Sequence, residues 1–201
     1  IVIIDYGMSN LRSIYYKLSS SGIESVISSE PEKISMADKI ILPGVGHFKS
    51  GMENLHRRNL VDVLKQKVNS DKTQIFGICL GMQLFSNHSE EGDCNGLGFI
   101  DSQVVKFNIP KDLNYKIPHV GWNVANFVAE SKILEGIPRN QEFYFTHSYH
   151  LECNEEMVLS KTNYGIDFVS AVKSKNVIGT QFHPEKSHKT GFNLIINFLK
   201  I

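Results

Sequence analysis

The stretch Gln74-Ile75-Phe76-Gly77-Ile78-Cys79-Leu80-Gly81-Met82-Gln83 predicts a strand, a sharp turn and a helix, and it decides the fold. Its first five residues are a short apolar run with β-branched members, and helix-forming residues follow the cysteine. Cys79 falls at the junction, with a glycine two positions away on either side. Because glycine permits unusual backbone angles and close approach, this turn has the composition of a nucleophile elbow with Cys in place of Ser. We therefore predict a reactive thiol at Cys79, facing the backbone N–H groups of a helix start.

A second interpretation of Cys79 is a small buried hydrophobic residue at the end of a core strand, as free cysteines often are. The flanking glycines favour the functional interpretation, although a motif this short also arises by chance.

The composition limits the class of protein. The chain has 201 residues, 41% of them hydrophobic, which suits one domain over residues 1–201. Lys plus Arg and Asp plus Glu both number 21, so no basic surplus favours nucleic acid or an anionic membrane as partner. Three cysteines without close spacing, and no signal segment or long apolar run, predict a soluble cytoplasmic protein. The absence of a P-loop and of a dinucleotide fingerprint predicts that no cofactor is needed.

Strands and helices alternate in the first half of the sequence. Predicted strands lie at 1–4, 23–27, 39–42 and 74–78, and amphipathic helices lie after Asn10 and between Phe48 and Val68, the latter possibly broken. Such alternation predicts a parallel α/β sheet, whose sites lie beyond the carboxyl ends of the strands. Gly7, the loop Pro43-Gly44-Val45-Gly46 and Cys79 all fall at such ends.

The sequence after Glu90 consists of short extended segments separated by Asn, Gly and Pro. We predict strands at 99–107, 120–128, 143–145, 168–172 and 177–182, and a closing helix at 192–199. This half is predicted to be an antiparallel addition packed on the same core.

A candidate base for the thiol lies in Gly179-Thr180-Gln181-Phe182-His183-Pro184-Glu185, directly after a predicted strand. His183 and Glu185 are two residues apart, which places both side chains on one side of an extended segment. A carboxylate orients an imidazole, and an imidazole takes the proton of a thiol, so Cys79, His183 and Glu185 can form a triad. The alternative is that His183 merely ends a strand and Glu185 is solvated. His147 and His150 lack an acidic third ligand, so we predict that they are core or interface residues and that the chain has no metal site.

These motifs together resemble those of the class I, triad-type glutamine amidotransferases. Three further stretches resemble the glutaminase subunits of imidazole glycerol phosphate synthases: 42–48 (Leu-Pro-Gly-Val-Gly-His-Phe), 118–123 (Pro-His-Val-Gly-Trp-Asn) and 143–149 (Phe-Tyr-Phe-Thr-His-Ser-Tyr). The similarity runs essentially from end to end. Val120 stands where the family is expected to have Met, and Thr146 where it is expected to have Val. The resemblance implies an α/β fold of the class I glutamine amidotransferase type, with a largely parallel sheet flanked by helices and additional antiparallel strands in the second half.

The resemblance also implies roles for particular residues. Cys79 is the nucleophile that attacks the side-chain amide of glutamine, His183 is the base and then the acid, and Glu185 orients His183. The backbone amides of Val45 and Leu80 are the implied oxyanion donors, and the loop that carries Val45 is expected to need a peptide rotation before it can donate. The residues that match glutamine-binding positions are Gly46, Gln83, Glu91, Ser148 and Tyr149. Glu91 suits the α-ammonium of glutamine, whereas Gln83 could instead serve packing on its helix.

The resemblance implies a partner as well. In the family this subunit forms a heterodimer with a (β/α)₈-barrel cyclase, which uses the ammonia in histidine biosynthesis to make imidazole glycerol phosphate and an aminoimidazole carboxamide nucleotide. The residues that match positions near the contact are Asn10, His119, Trp122, Asn123, Tyr144 and Lys186. Trp122 could equally be a core residue.

Three classes of function stay open at the level of sequence. The favoured class is a glutaminase that hands ammonia to a partner, including a paralogous pair that forms an amidine on a nucleotide sugar. Another thiol hydrolase on a similar sheet, such as a peptidase, would not need Gln83, Glu91 or the segment 118–123. A non-catalytic binding module would not need the triad.

Overall fold

The computed structural model describes residues 1–70 and 73–201, which form one continuous sheet with helices on both faces. In chain order the first half contains β1 (Val2–Ile4), α1 (Leu11–Ser20), β2 (Val26–Ser28), α2 (Pro31–Ser35), β3 (Lys39–Gly44), α3 (Phe48–Arg57), α4 (Leu60–Val68), β4 (Gln74–Cys79) and α5 (Leu80–Gln83). The second half contains β5 (His88–Ser89), β6 (Cys94–Asn95), β7 (Ser102–Lys106), β8 (His119–Phe127), β9 (Asn140–His147), β10 (Tyr149–Cys153), β11 (Val158–Asn163), β12 (Asp167–Ser174), β13 (Val177–Thr180) and α6 (His188–Lys200). Short 3-10 helices lie at Lys111–Leu113, Lys132–Leu134, Glu155–Met157 and Pro184–Lys186.

One side of the sheet, from its edge strand β2 inward, is parallel, in the order β2-β1-β3-β4-β13. The strands beyond β13 pair mainly antiparallel, through β12, β10 and β7, with β11, β8 and β9 as a branch. The predicted α/β fold, parallel in its first half with antiparallel strands added in the second, is confirmed.

One strand departs from the sequence prediction. The segment 177–182 was assigned to the antiparallel half, but β13 pairs parallel with β4, placing Gly179 beside Gly77 and Thr180 beside Ile78. The prediction was wrong here because a strand's own residues do not specify the direction of its neighbour. The consequence is that the chain after β13 leaves the sheet at the same edge as Cys79.

Two apolar layers bury the two faces of the parallel strands. Ile3, Ile41 and Phe76 pack in one cluster with residues of α1 and α6, whereas their sequence neighbours Ile40 and Ile75 pack in the other with residues of α3 and α4. Because successive side chains of a strand point to opposite faces, strands covered on both sides need continuous apolar runs. Those runs are the feature by which the sequence predicted this sheet.

The helical segment after Phe48 is divided, as the sequence allowed. Asn59 separates α3 from α4 and has a left-handed backbone, with φ of 56°. The segment around Pro31, interpreted as a connector, contains the short helix α2 with proline in its first turn. No helix in the described part of the chain is long and apolar enough to cross a membrane.

Candidate active site

Cys79 ends β4, and α5 begins at the next residue. Its backbone has φ of 54° and ψ of −112°, a conformation that non-glycine residues rarely adopt and that is typical of strained turns at functional sites. The flanking glycines serve close approach, since neither has a positive φ. A Cβ on Gly81 would lie 1.7 Å from the carbonyl oxygen of Leu42, and one on Gly77 would lie 2.4 Å from Phe85 Cε2. The unusual backbone angles that the sequence predicted at the glycines are therefore found at Cys79 itself.

His183 lies beside Cys79 and is 1% exposed. Its Nδ1 lies 2.8 Å from Glu185 Oε1, and the carboxylate holds the proton on that nitrogen, which leaves Nε2 directed at Cys79. Among the described residues, Nε2 has no hydrogen-bond partner, as is common for catalytic contacts that tighten when substrate binds. The structure thus brings together the three residues that the sequence predicted as a triad.

The electrostatics favour a charged imidazole beside the sulfur. Burial alone would lower the pKa of His183, but the negative charge of Cys79 and the carboxylate of Glu185 outweigh it and raise this pKa to about 10. Because a protonated imidazole stabilises a neighbouring thiolate, the pair suits a nucleophilic sulfur.

A pocket of about 190 Å³ opens over Cys79. Pro118, Thr146 and His147 form part of its lining. The rest of the lining apart from Cys79 consists of all the predicted substrate-binding and oxyanion residues: Val45, Gly46, Leu80, Gln83, Glu91, Ser148 and Tyr149. A volume below the ~300–1,000 Å³ of sites for drug-sized ligands suits a single amino acid.

Two of these residues already have partners in the structure. Glu91 Oε2 accepts the backbone N–H of Phe48 at 2.7 Å, at the start of α3. Gln83 Nε2 donates to the carbonyl oxygen of Tyr149 and to Gln181 Oε1, each at 2.9 Å, so its own Oε1 is left for a ligand. Gln83 is therefore part of a buried network as well as of the pocket wall.

Of the two predicted oxyanion donors, the amide of Val45 already has a hydrogen-bond partner, whereas that of Leu80 is free of its own helix. The N–H of Val45 donates to the carbonyl oxygen of Met8 at 2.6 Å. A Cβ on Gly44 would lie 2.1 Å from the hydroxyl oxygen of Tyr6, so that position tolerates only glycine. Leu80, as first residue of α5, has an N–H that no carbonyl of its own helix can accept.

The residues predicted to lie near a partner fall into two groups. Trp122 is 45% exposed and stacks on His188 with ring centroids 4.7 Å apart, so it is not a core residue. Tyr144 lies edge-on to Trp122, and Lys186 Nζ sits over the Tyr144 ring at 5.5 Å. Asn10 is exposed at the start of α1, whose Lys17 donates to the carbonyl oxygen of Glu185.

The second group runs inward from strand β8. His119 is 2% exposed, so it lies below the surface rather than on it, and its Nδ1 is 3.0 Å from His147 Nε2. Asn123 Nδ2 lies 3.3 Å from His119 Nε2. His147 and His150 are both buried around Phe107, and the described residues contain no group of three or more His, Cys, Asp or Glu that could hold a metal ion.

Three contacts at the site were not predicted. The carbonyl oxygen of Thr146 lies 3.8 Å from Cys79 Sγ, Gln181 Nε2 lies 3.6 Å from the same sulfur, and Met8 accepts the Val45 amide. Gln181 had a detectable signal, since it lies two residues before His183 on an extended segment and so shares its side. The contacts made by backbone carbonyl oxygens had no signal in the sequence. Because Thr146 contacts the sulfur through its backbone, its departure from the expected Val leaves this contact unchanged.

An α/β sheet with a strained cysteine at a strand–helix turn, backed by a buried His–Glu pair, defines the thiol hydrolases built on a nucleophile elbow. A sequence model of the family "Glutamine amidotransferase class-I" matches residues 2–201, and the chain belongs to that family.

Similar proteins cover the chain from end to end. "Imidazole glycerol phosphate synthase subunit HisH 2" of Methanococcus maripaludis is 48% identical, with 100% of this chain and 98% of the relative covered. "Imidazole glycerol phosphate synthase subunit HisH 1" of Campylobacter jejuni strain RM1221 is 43% identical, with both chains covered completely. A solved structure described as a glutamine amidotransferase has a TM-score of 0.77 at 18% identity, with 100% of this chain and 97% of that chain covered, and it supports the fold.

Proposed function

We propose that this chain is the glutaminase subunit of an imidazole glycerol phosphate synthase. It hydrolyses L-glutamine to glutamate and ammonia and passes the ammonia to a cyclase subunit. The observation that carries the proposal is the pocket of about 190 Å³ with Cys79 at its base, Glu91 on its wall and the buried pair His183–Glu185 behind the sulfur. The full-length similarity to HisH subunits selects this acceptor pathway over other uses of ammonia.

The triad performs the reaction in two halves. The Cys79 thiolate attacks the side-chain carbonyl carbon of glutamine, and the proton of the His183 imidazolium goes to the nitrogen as the C–N bond breaks and ammonia leaves. Water then attacks the thioester while His183 takes its proton, and the C–S bond breaks to release glutamate and the thiolate. Glu185, 2.8 Å from Nδ1, stabilises the imidazolium in both halves.

The pocket distinguishes glutamine from longer substrates. The free oxygens of Glu91 and Gln83 accept hydrogen bonds from the α-ammonium, and Ser148 and Tyr149 complete this part of the lining. A peptidase would need a cleft for the residues on both sides of the scissile bond, which this volume does not offer.

The conformation of the oxyanion loop makes the activity of the site conditional on a backbone rearrangement. The amide of Leu80 stabilises the oxyanion, but that of Val45 donates to Met8, so the Gly44–Val45 peptide must rotate before it serves the same purpose. A site held in this state releases little ammonia when no acceptor is present. A partner activates it only by contacts that favour the rotated loop.

The partner is a (β/α)₈-barrel cyclase that docks on the surface around Trp122. Alternate residues of β8 are exposed there: Val120 by 54%, Trp122 by 45% and Val124 by 38%. Tyr144 and Lys186 lie beside Trp122 on this face, so the surface combines aromatic anchors with a charged group, as protein interfaces do. Asn123 lies on the other face of β8, against His119.

The test is steady-state glutamine hydrolysis by the chain alone, with its cyclase, and with cyclase plus nucleotide. We expect a rise of about a hundredfold or more, equivalent to ~2.7 kcal/mol of differential stabilisation. Cys79→Ser should abolish glutamine-dependent synthesis while the complex still uses free ammonia. Full glutamine-dependent turnover by Cys79→Ser would overturn the assignment, and equal rates in the three conditions would overturn the conditional loop.

A further inference from the structure

Gln181 lies directly after β13 and is fully buried. Its side chain joins two parts of the site, because Nε2 donates to Cys79 Sγ at 3.6 Å and Oε1 accepts from Gln83 Nε2 at 2.9 Å. An amide nitrogen at this distance from sulfur makes an N–H···S contact. Besides its contact with the Thr146 carbonyl, the Cys79 sulfur therefore has a side-chain hydrogen-bond donor other than His183.

The orientation of the Gln181 amide is fixed by a backbone group. The carbonyl oxygen of Tyr149 can only accept, so the Gln83 group 2.9 Å from it must be the nitrogen. That same nitrogen also faces Gln181, which must present its oxygen in return. The nitrogen of Gln181 is then the atom that points at Cys79, and a flipped Gln181 amide would place two N–H donors opposite each other and lose the hydrogen bond with Gln83.

The contacts of the sulfur discriminate between its two protonation states. The Thr146 carbonyl, 3.8 Å away, can accept only from the thiol. The Gln181 N–H donates to either state and bonds more strongly to the negative one. Because the thiolate is the nucleophilic form of a cysteine, an extra donor to it has a direct effect on reactivity.

We propose that Gln181 is a further catalytic residue, whose side-chain N–H holds the Cys79 sulfur in its attacking position and stabilises the thiolate. Gln83 is a positioning residue for it, through its donation to Oε1. The proposal deepens the glutaminase function and rests on it for its role in turnover. In the first half of the reaction the N–H raises the fraction of thiolate, and in the second it stabilises the sulfur as the leaving group when the C–S bond of the thioester breaks.

The test measures the pH profile of Cys79 alkylation by iodoacetamide in the isolated chain, followed by peptide mapping to separate Cys94 and Cys153. Gln181→Glu keeps the acceptor for Gln83 but replaces the donor to sulfur with a carboxylate. We expect the midpoint of the profile to rise by about one pH unit, so that the rate at a pH well below the midpoint falls on the order of tenfold. Gln103→Glu, on the exposed face of β7, is the control for the added charge and should leave the profile unchanged.

A second variant distinguishes the loss of the N–H···S contact from an effect of misfolding. Gln181→Met retains the volume without a donor or an acceptor, and it should shift the profile in the same direction by a smaller amount. Gln83→Met should give a partial shift, and the double variant should resemble Gln181→Met alone, since the two residues act through one contact. Wild-type profiles in folded Gln181→Glu or Gln181→Met would overturn the proposal.

Alkylation requires neither glutamine nor a partner, so this result is separate from the glutaminase assignment. In the complete complex, Gln181→Glu should lower kcat for glutamine with little change in KM, because Gln181 contacts the sulfur, is not itself part of the pocket lining, and as Glu still accepts from Gln83. An unchanged kcat with a raised KM would contradict the role.

Discussion

Individual residues at this site differ in how directly they act on the sulfur. In the proposed mechanism His183 transfers protons, whereas Glu185 acts only through the ring, which it contacts at 2.8 Å. Gln181 touches the sulfur but exchanges no proton with it. Substitutions should therefore have graded effects on turnover and different effects on the charge of His183.

The first prediction compares the two partners of the nucleophile. His183→Ala should lower kcat by about 10⁵-fold or more, and Glu185→Gln should cost about one to two orders of magnitude less, because a positioning carboxylate is less critical than the base. Steady-state glutaminase assays of the complete complex measure both effects. Equal losses in folded variants would show that Glu185 has an essential acid or base function.

The pKa of His183 offers a second readout of the same pair. Since the Glu185 carboxylate contributes to raising this pKa to about 10, Glu185→Gln should move it down toward the ordinary value, so the imidazolium deprotonates at lower pH. Titration of the His183 ring by nitrogen NMR measures the shift, with the exposed Glu24→Gln as control. An unchanged midpoint would contradict the assigned contact.

At the scale of elements, the turn between β4 and α5 depends on contacts with β3. Gly81 packs so closely on Leu42 that a Cβ would overlap its carbonyl oxygen at 1.7 Å. This backbone cannot yield by a rotamer change, since Leu42 is fully buried between its neighbours. The strained conformation of Cys79 is held by this packing.

Gly81→Ala should therefore lower the free energy of unfolding by about 3 kcal/mol or more and should reduce alkylation of Cys79 in the folded fraction. Gly51→Ala is the matched control, because its Cβ would meet only the ends of two leucine side chains, Leu84 at 3.2 Å and Leu80 at 3.5 Å, and the change also favours helix α3. We expect the control to stay within about 1 kcal/mol of wild type. Urea denaturation of both variants distinguishes the outcomes, and similar values would contradict the argument from packing.

At the scale of the whole molecule, a hydrogen-bonded chain connects strand β8 with the substrate pocket. It runs from Asn123 through His119 and His147 to the carbonyl oxygen of Tyr149, which also accepts from Gln83. The carbonyl oxygen of Tyr149 can only accept a hydrogen bond. The imidazole rings of His119 and His147 must therefore both be neutral for donors and acceptors to alternate along the chain. Burial lowers the pKa of His119 to about 4 and that of His147 to about 3.

These lowered pKa values predict acid sensitivity. Both rings are neutral in the folded chain, but they take up protons near pH 6.5 when unfolded, so stability is present above that pH and declines as the pH falls toward 4. The decline should approach ~1.4 kcal/mol per pH unit for each ring. Replacing both, as His119→Phe with His147→Phe, should flatten the slope between pH 6.5 and 4. The exposed His56→Asn is the control, and an unchanged slope in the double variant would contradict the prediction.

The sequence by itself determined the local elements and the chemistry of single positions. Apolar runs identified β1, β3 and β4, and the spacing of His183 and Glu185 placed them on one side of an extended segment. These features depend on residues that are close in the sequence, so they can be predicted without knowing the fold. The motifs also led to the amidotransferase family, which the comparisons show.

Only the tertiary structure decided how these parts meet. The parallel pairing of β13 with β4 brings His183 and Gln181 to Cys79, about a hundred positions away in the chain. The engagement of the Val45 amide by Met8, the burial of His119 and the orientation of the Gln181 amide depend on backbone carbonyls from distant segments. Every residue carries the same carbonyl, so a sequence does not indicate which one will accept a given hydrogen bond; that follows from the packing of the sheet.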